Sequence, residues 1–201
     1  MATTHVLTGM LLAVPVALVA PELAPAALLA GALGGFAPDA DLYAGHRKTL
    51  HYPVYGPAAA ALAVGAAAAI PGEATAFLAV FLLAAAVHVR MDVFGGGLEL
   101  RPWEGGSDRA VYDHFRGRWR RPRRLVRYDG SPEDLLLAFV AAGPVLVAFA
   151  DVAYVTPAVA LLLGVSALYV AVRKPLAGLA AQLVPFVPVR VRRYVPERYH
   201  G

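Results

Sequence analysis

The chain has 201 residues, of which 59% are hydrophobic and only 16% charged, with a formal net charge of +4 and a mean hydropathy of +0.58. That length allows one domain, and the long Ala, Leu and Val runs depart from a soluble composition, so a membrane-embedded chain is expected. The absence of cysteine excludes disulfide frameworks, thiolate zinc sites and thiol nucleophiles, which leaves His, Asp and Glu to hold any metal.

The first apolar run, Val6 to Ala20, follows His5 and ends at Pro21. It has no basic segment ahead of it and leads directly into a second run, Ala24 to Phe36, so it reads as a retained helix and not as a cleaved leader. Gly34 and Gly35 close the second run, and the two runs form a short helical hairpin turning through PELAP. The stretch GFAPDADLYAGHRKTLHY, Gly35 to Tyr52, then places Asp39, Asp41, His46 and His51 in one polar segment of an otherwise oily chain. Carboxylate oxygen and imidazole nitrogen together suit zinc, with manganese or iron as alternatives, and the segment reads as half of a metal site.

Pro53 to Ile70 is an Ala-rich run broken by Pro71 and Gly72, and Glu73 to Asp92 ends in VHVRMD. Residues four apart share one face of a helix, so His88 and Asp92 can share a metal and form the second half of the site. Gly95, Gly96 and Gly97 lead into a polar region that continues to Pro132. Leu135 to Ala150, a turn at Asp151, and Val152 to Val172 follow, with Arg173 and Lys174 read as the end of that run. Leu176 to Val189, which contains Pro185 and Pro188, reads as an interfacial or broken segment.

The expected fold is all-α: a polytopic helical membrane bundle of about five to six apolar helices, since the runs lack the alternation of strands. Residues 1–93 form the metal-site half, 94–132 an Arg-rich loop, and 133–201 a helical hairpin with a basic tail. Several runs fall short of the ~20 residues that cross a hydrocarbon core, so some helices are expected to be tilted or buried beneath others.

Charge orients the bundle. Of the 18 basic residues, Lys48 and Lys174 are the two lysines, and nine arginines lie between Arg101 and Arg127. The positive-inside tendency places that loop in the cytoplasm. Counting helices backward from it brings His5, Asp39, Asp41, His46, His51, His88 and Asp92 to the same membrane face, and counting forward brings Arg173, Lys174 and the basic tail from Arg190 to Arg198 there too. Blander roles exist for each: PDAD as a turn with a helix cap, His88 as a hydrogen-bonded core residue, His46 as an interfacial one. Their joint placement favours a site, because ionisable groups at membrane depth are costly to keep. His114 and His200 have no acidic partner pattern and are left out. RGRWRRPRRLVR, Arg116 to Arg127, with Trp119, Tyr112 and Phe115, admits a nucleic-acid reading; contact with anionic head groups of membrane lipids is preferred.

Taken together, HVLTG, GGFAPDAD, HRKTLH and HVRMDVFGGGLELRPW resemble, in the same order, the membrane-bound metal-dependent hydrolases, also described as LexA-binding, inner-membrane-associated hydrolases. SPEDLLL, Ser131 to Leu137, is similar to that family's lead into its later helices, and the resemblance covers about two thirds of the chain. Leu50 stands where the family usually has Thr, and Tyr52 where Ser is common. The family is in turn similar to zinc-dependent phospholipase C and P1 nuclease. That likeness implies His88, Asp92, Asp39 and His51 as core ligands, completed by His5, with no counterpart to a further downstream His and Glu set.

The resemblance implies hydrolysis of an ester or phosphoester at a prokaryotic inner membrane, a source that the Arg-over-Lys and Ala-rich bias also suggests; the site's place at the cytoplasmic face, from the helix count, favours a small or lipid-like substrate. In such a reaction a divalent ion activates water, Asp41 is the expected base, with bridging ligation as its rival role, and Arg47 the expected partner of developing negative charge. A metal transporter would need a polar path, and between Pro53 and Leu83 polar residues are scarce apart from Glu73 and Thr75. The alternative is a non-catalytic metal-stabilised scaffold, or a regulator-binding protein that uses the Arg-rich loop.

Overall fold

The computed structural model describes residues 1–192 and Val195; Arg193, Tyr194 and residues 196–201, and with them Arg198 and His200 of the basic tail, lie outside the described residues. The fold is all-α, as expected, and its helices follow the apolar runs. The first run is two helices: α1 (Ala2–Leu11) and α2 (Val14–Val19). They separate at Leu12 and Ala13 because Pro15, in the first turn of α2, has no N–H to continue the ladder. A turn over Pro21–Leu23 leads to α3 (Ala24–Phe36).

After the polar loop come α4 (Tyr55–Ala69) and α5 (Glu73–Phe94). The 15 residues of α4 rise about 22 Å, short of a ~30 Å hydrocarbon core. Then follow α6 (Pro132–Ala148), α7 (Val155–Leu183) and a final turn, α8 (Val189–Arg192). Four helical stretches are long and apolar enough to cross a membrane: Ala2–Val19, Pro21–Asp41, Glu73–Phe94 and Val155–Phe186. Large apolar side chains such as Leu62, Val147 and Leu161 point outward, exposed, as lipid-facing residues do. The chain is a membrane protein.

Two expectations need correction. Arg173 and Lys174 do not end their run, since α7 continues through Pro175 to Leu183. Arg173 is buried there, donating to the Leu100 and Asp129 carbonyls and pairing with the Asp129 carboxylate at 3.3 Å. The polar region is also not wholly irregular. It holds an antiparallel hairpin of β1 (Val111–Asp113) and β2 (Arg118–Arg120), in register Val111 to Arg120 and Asp113 to Arg118.

Tight helix crossings set the geometry. A Cβ on Gly9 would collide with the Gly31 carbonyl, and one on Gly31 with the Gly9 carbonyl; a Cβ on Gly35 would collide with the His5 carbonyl. Glycine at these positions lets the α1 and α3 backbones touch, the close approach by which helices associate in lipid. The core around Leu7, Leu28, Val80, Val145 and Val159 lies toward the other end of α1.

The segment after α5 covers the polar end of the bundle. Backbone N–H groups of Arg123, Arg124 and Val126 donate to the carbonyls of Val93, Gly95 and Phe94, satisfying acceptors that the end of α5 leaves open. SPEDLLL is the start of α6: Ser131 caps it, accepting from the Asp134 N–H, and Pro132 stands in the first turn. The Asp134 carboxylate accepts from Thr4 Oγ1 at 2.6 Å, so α6 grips the first turn of α1 one residue before His5.

A candidate His and Asp metal centre

Five residues from four separated segments meet at this end. His5 comes from the first turn of α1, Asp39 from the 3₁₀ turn Ala37–Asp41, His51 from the loop before α4, and His88 and Asp92 from one face of α5. Asp39, His51, His88 and Asp92 each offer one ligand atom, all within 4.8 Å of one another, and this group could hold a metal ion. His51, His88 and Asp92 are buried, and Asp39 is partly exposed.

The hydrogen bonds fix how the rings point. His88 Nδ1 lies 2.7 Å from the Gly35 carbonyl, and a carbonyl only accepts, so Nδ1 carries the hydrogen. Nε2 then turns inward, 3.6 Å from Asp39 Oδ1 and 3.4 Å from Asp92 Oδ2, with no hydrogen-bond partner. His5 is 2% exposed and neither ring nitrogen has a partner. Its Nδ1 is 3.8 Å from Asp39 Oδ2 and its Nε2 3.7 Å from Asp92 Oδ1, and its ring centroid is 3.8 Å from that of His88. Buried polar atoms are ordinarily paired. Imidazole nitrogens and carboxylate oxygens that face one another across such short gaps form a donor set that suits a divalent metal.

Asp41 occupies a different place from the one expected of it. One oxygen takes His46 Nδ1 at 3.1 Å and the Arg47 N–H at 3.3 Å; the other takes the Leu50 N–H and His51 Nδ1, both at 3.0 Å. It therefore sits behind His51, holding the loop and orienting the ring, and not within the group of four. Such carboxylate and histidine pairing is how a ligating imidazole is supported from behind where a metal is bound. His46 belongs to the same support through Asp41. Burial alone would lower the basicity of His51, but its hydrogen bonds to Asp41 and Asp92 outweigh that and hold the ring above the ordinary histidine range.

Arg47 adopts a left-handed backbone with φ of 59°. Its side chain is buried, donating Nη1–H to the Gly96 carbonyl at 2.9 Å and pairing Nη2 with Asp92 Oδ1 at 3.1 Å, while Nε has no partner. The hairpin clamps this loop, as Tyr112 N–H donates to the Arg47 carbonyl and His114 Nε2–H to the Lys48 carbonyl. His114, which pattern alone left unassigned, thus has a positioning role.

Sequence reasoning missed the carbonyls of Gly35 and Gly96, since no side chain announces them. Their signal was the run of glycines on either side of the ligands. It also missed a cavity of about 340 Å³ beside the centre, whose far wall comes from α7 through Val165 and Tyr169. Several arginines of the basic loop serve the fold itself: Arg101, Arg120, Arg121 and Arg127 pair with Glu104, Asp113, Asp108 and Glu133. Arg116 and Arg118, at the hairpin tip, are exposed. No family model, no curated protein and no solved structure matches this chain.

Proposed function

We propose that the protein is a membrane-bound metal-dependent hydrolase of the kind its motifs resemble, acting on an ester or phosphoester at the cytoplasmic face of a prokaryotic inner membrane. The observation that carries this reading is the set of buried His5 and His88 nitrogens that face Asp39 and Asp92 without hydrogen-bond partners. Asp39, His51, His88 and Asp92 would hold the metal, with His5 beside them, and zinc fits the mixed donors best, ahead of manganese or iron. When bound, the ion supplies Lewis acidity and a water of lowered pKa.

The chain's own residues do the rest. Asp39 reaches the cavity with 19% of its side chain exposed, so it is the carboxylate able to accept the proton from attacking water. Arg47 Nε–H, unpartnered beside Asp92, offers a donor to a phosphoryl oxygen. Hydrolysis attaches the water oxygen to phosphorus or acyl carbon and releases the alcohol with a proton. Asp41 keeps His51 turned toward the centre.

The first experiment is elemental analysis of the detergent-purified protein beside His88→Ala and Asp39→Ala, followed by turnover of phosphodiester and lipid substrates. Stoichiometric metal lost in both variants, with turnover in the wild type alone, supports the reading; wild-type protein that takes up no zinc, manganese or iron overturns it. The alternative, regulator binding through the basic loop, draws on the exposed tip of Phe115, Arg116 and Arg118. It predicts salt-sensitive binding lost on neutralising Arg116 and Arg118 and indifferent to His88.

A further inference from the structure

The cavity beside the centre is a groove with unlike ends. Its inner end is polar: His5, Asp39, Asp92 and Arg47 line it, and His5 and Arg47 present buried nitrogens with no partner. Its floor is the start of α1, where Ala2 is exposed. Apolar groups of Phe36 and Leu42 form one wall, and Val165 and Tyr169 of α7 the other.

The walls do not close. α3 and α7 both pack on α1 but share no substantial contact with each other, and Phe36 and Val165 remain 51% and 47% exposed. Both stand within stretches long and apolar enough to span the membrane, and they put apolar side chains on both sides of the opening. Thr3 Oγ1 bonded to Ser166 Oγ at 2.6 Å fixes the depth at which α7 borders the groove. A volume of about 340 Å³ is at the small end of ligand sites of ~300–1,000 Å³. It accommodates a head group and the start of a chain, and leaves the remainder of a long tail in the bilayer.

We propose that this groove binds a phosphate-bearing lipid laterally, its phosphate against Arg47 and the His and Asp centre and its hydrocarbon chain leaving between α3 and α7. The inference rests on the proposed function for the metal that offsets the groove's carboxylates, and on its hydrolytic chemistry only for what happens to the phosphoester afterwards. Charge complementarity selects the ligand: with a divalent metal held by the His and Asp centre offsetting the carboxylates of Asp39, Asp92 and Asp129 that line the groove, the unpartnered Arg47 Nε–H suits an anionic phosphate, and the apolar mouth suits a tail. A water-soluble phosphoester has the same phosphate without the tail.

The test uses the full chain in nanodiscs, loaded with zinc or manganese, and phosphatidic acid bearing a photoreactive diazirine on the acyl chain near the glycerol. Crosslinks are expected at Phe36, Val165 and Tyr169, competed by unlabelled phosphatidic acid and not by glycerol 3-phosphate. Val165→Trp, which fills the mouth from a half-exposed position, should cut retained phosphatidic acid roughly tenfold or more with metal content unchanged. Leu161→Trp, one turn away on α7 and outside the groove, should not. Crosslinks spread evenly over the lipid-facing helices, or equal competition by glycerol 3-phosphate, overturn the proposal. Groove crosslinks without turnover of any phosphoester would uphold the lipid site and remove the hydrolase reading. Turnover of glycerol 3-phosphate without groove crosslinks would do the reverse.

Discussion

Asp41 Oδ2 lies 3.0 Å from His51 Nδ1, and the opposite nitrogen of that ring lies 3.1 Å from Asp92 Oδ2. The ring is thus held from behind by one carboxylate and presented to another. Asp41→Asn should retain the metal but weaken its affinity by ~10–100-fold, the usual cost of losing such a support. Competitive chelator titration measures this. A loss as complete as in His88→Ala would place Asp41 among the ligands.

Arg47 spans two partners, the Gly96 carbonyl and Asp92 Oδ1. Arg47→Lys keeps the charge but has one point of attachment, so it should bind metal normally and hydrolyse more slowly, by roughly tenfold or more, in kcat more than in KM. Unchanged kcat would relegate Arg47 to holding the loop.

Gly35→Ala places a methyl group against the His5 carbonyl. Overpacking of this kind costs ~1–3 kcal/mol, and here it also moves His5, so thermal stability and metal occupancy should fall together. Gly65→Ala on α4 meets nothing within 4 Å and should be neutral or stabilising by up to ~1 kcal/mol, because alanine is the better helix former. Differential scanning fluorimetry of both variants separates the two cases.

Asp113 supplies a pH dependence. Burial would push its carboxyl up, but the Arg120 guanidinium and the Arg116 and Phe115 N–H groups outweigh that and hold it below the ordinary aspartate range. A depressed carboxyl stabilises the fold above its unfolded value of about 3.9, and the contribution disappears as pH falls through the lower folded value. In a Trp103→Phe background, Trp119 emission should be flat from about pH 8 to about pH 5 and shift only below about pH 4. Asp113→Asn should remove that step.

The sequence made the centre legible because its ligands obey simple spacings. His88 and Asp92 share a helix face by four-residue spacing, and the alternation of apolar runs brought His5, Asp39 and His51 to the same end as a matter of counting. Asp41 was harder to place. PDAD presents two similar carboxylates, and only the folded loop reveals that one turns inward to His51, His88 and Asp92 while the other turns back to four donors. The continuation of α7 was hidden for a related reason. Arg173, Lys174 and Pro175 read as a stop, but Arg173 finds buried partners in Asp129 and Leu100, and a cation with partners no longer has to seek water. The hairpin was invisible because VYD and RWR are too short and too polar to show a strand period.

The glycine crossing of α1 and α3 has a consequence for how the protein is made. That crossing needs only the first 36 residues, whereas the centre also needs His88 and Asp92, on a helix synthesised much later. Chains fold from the N-terminus as they emerge, so α1 and α3 can pair while His5 and Asp39 still await their partners. A nascent chain paused before α5 therefore exposes half a centre inside an already assembled helical pair, and the arrival of α5 completes it in one step.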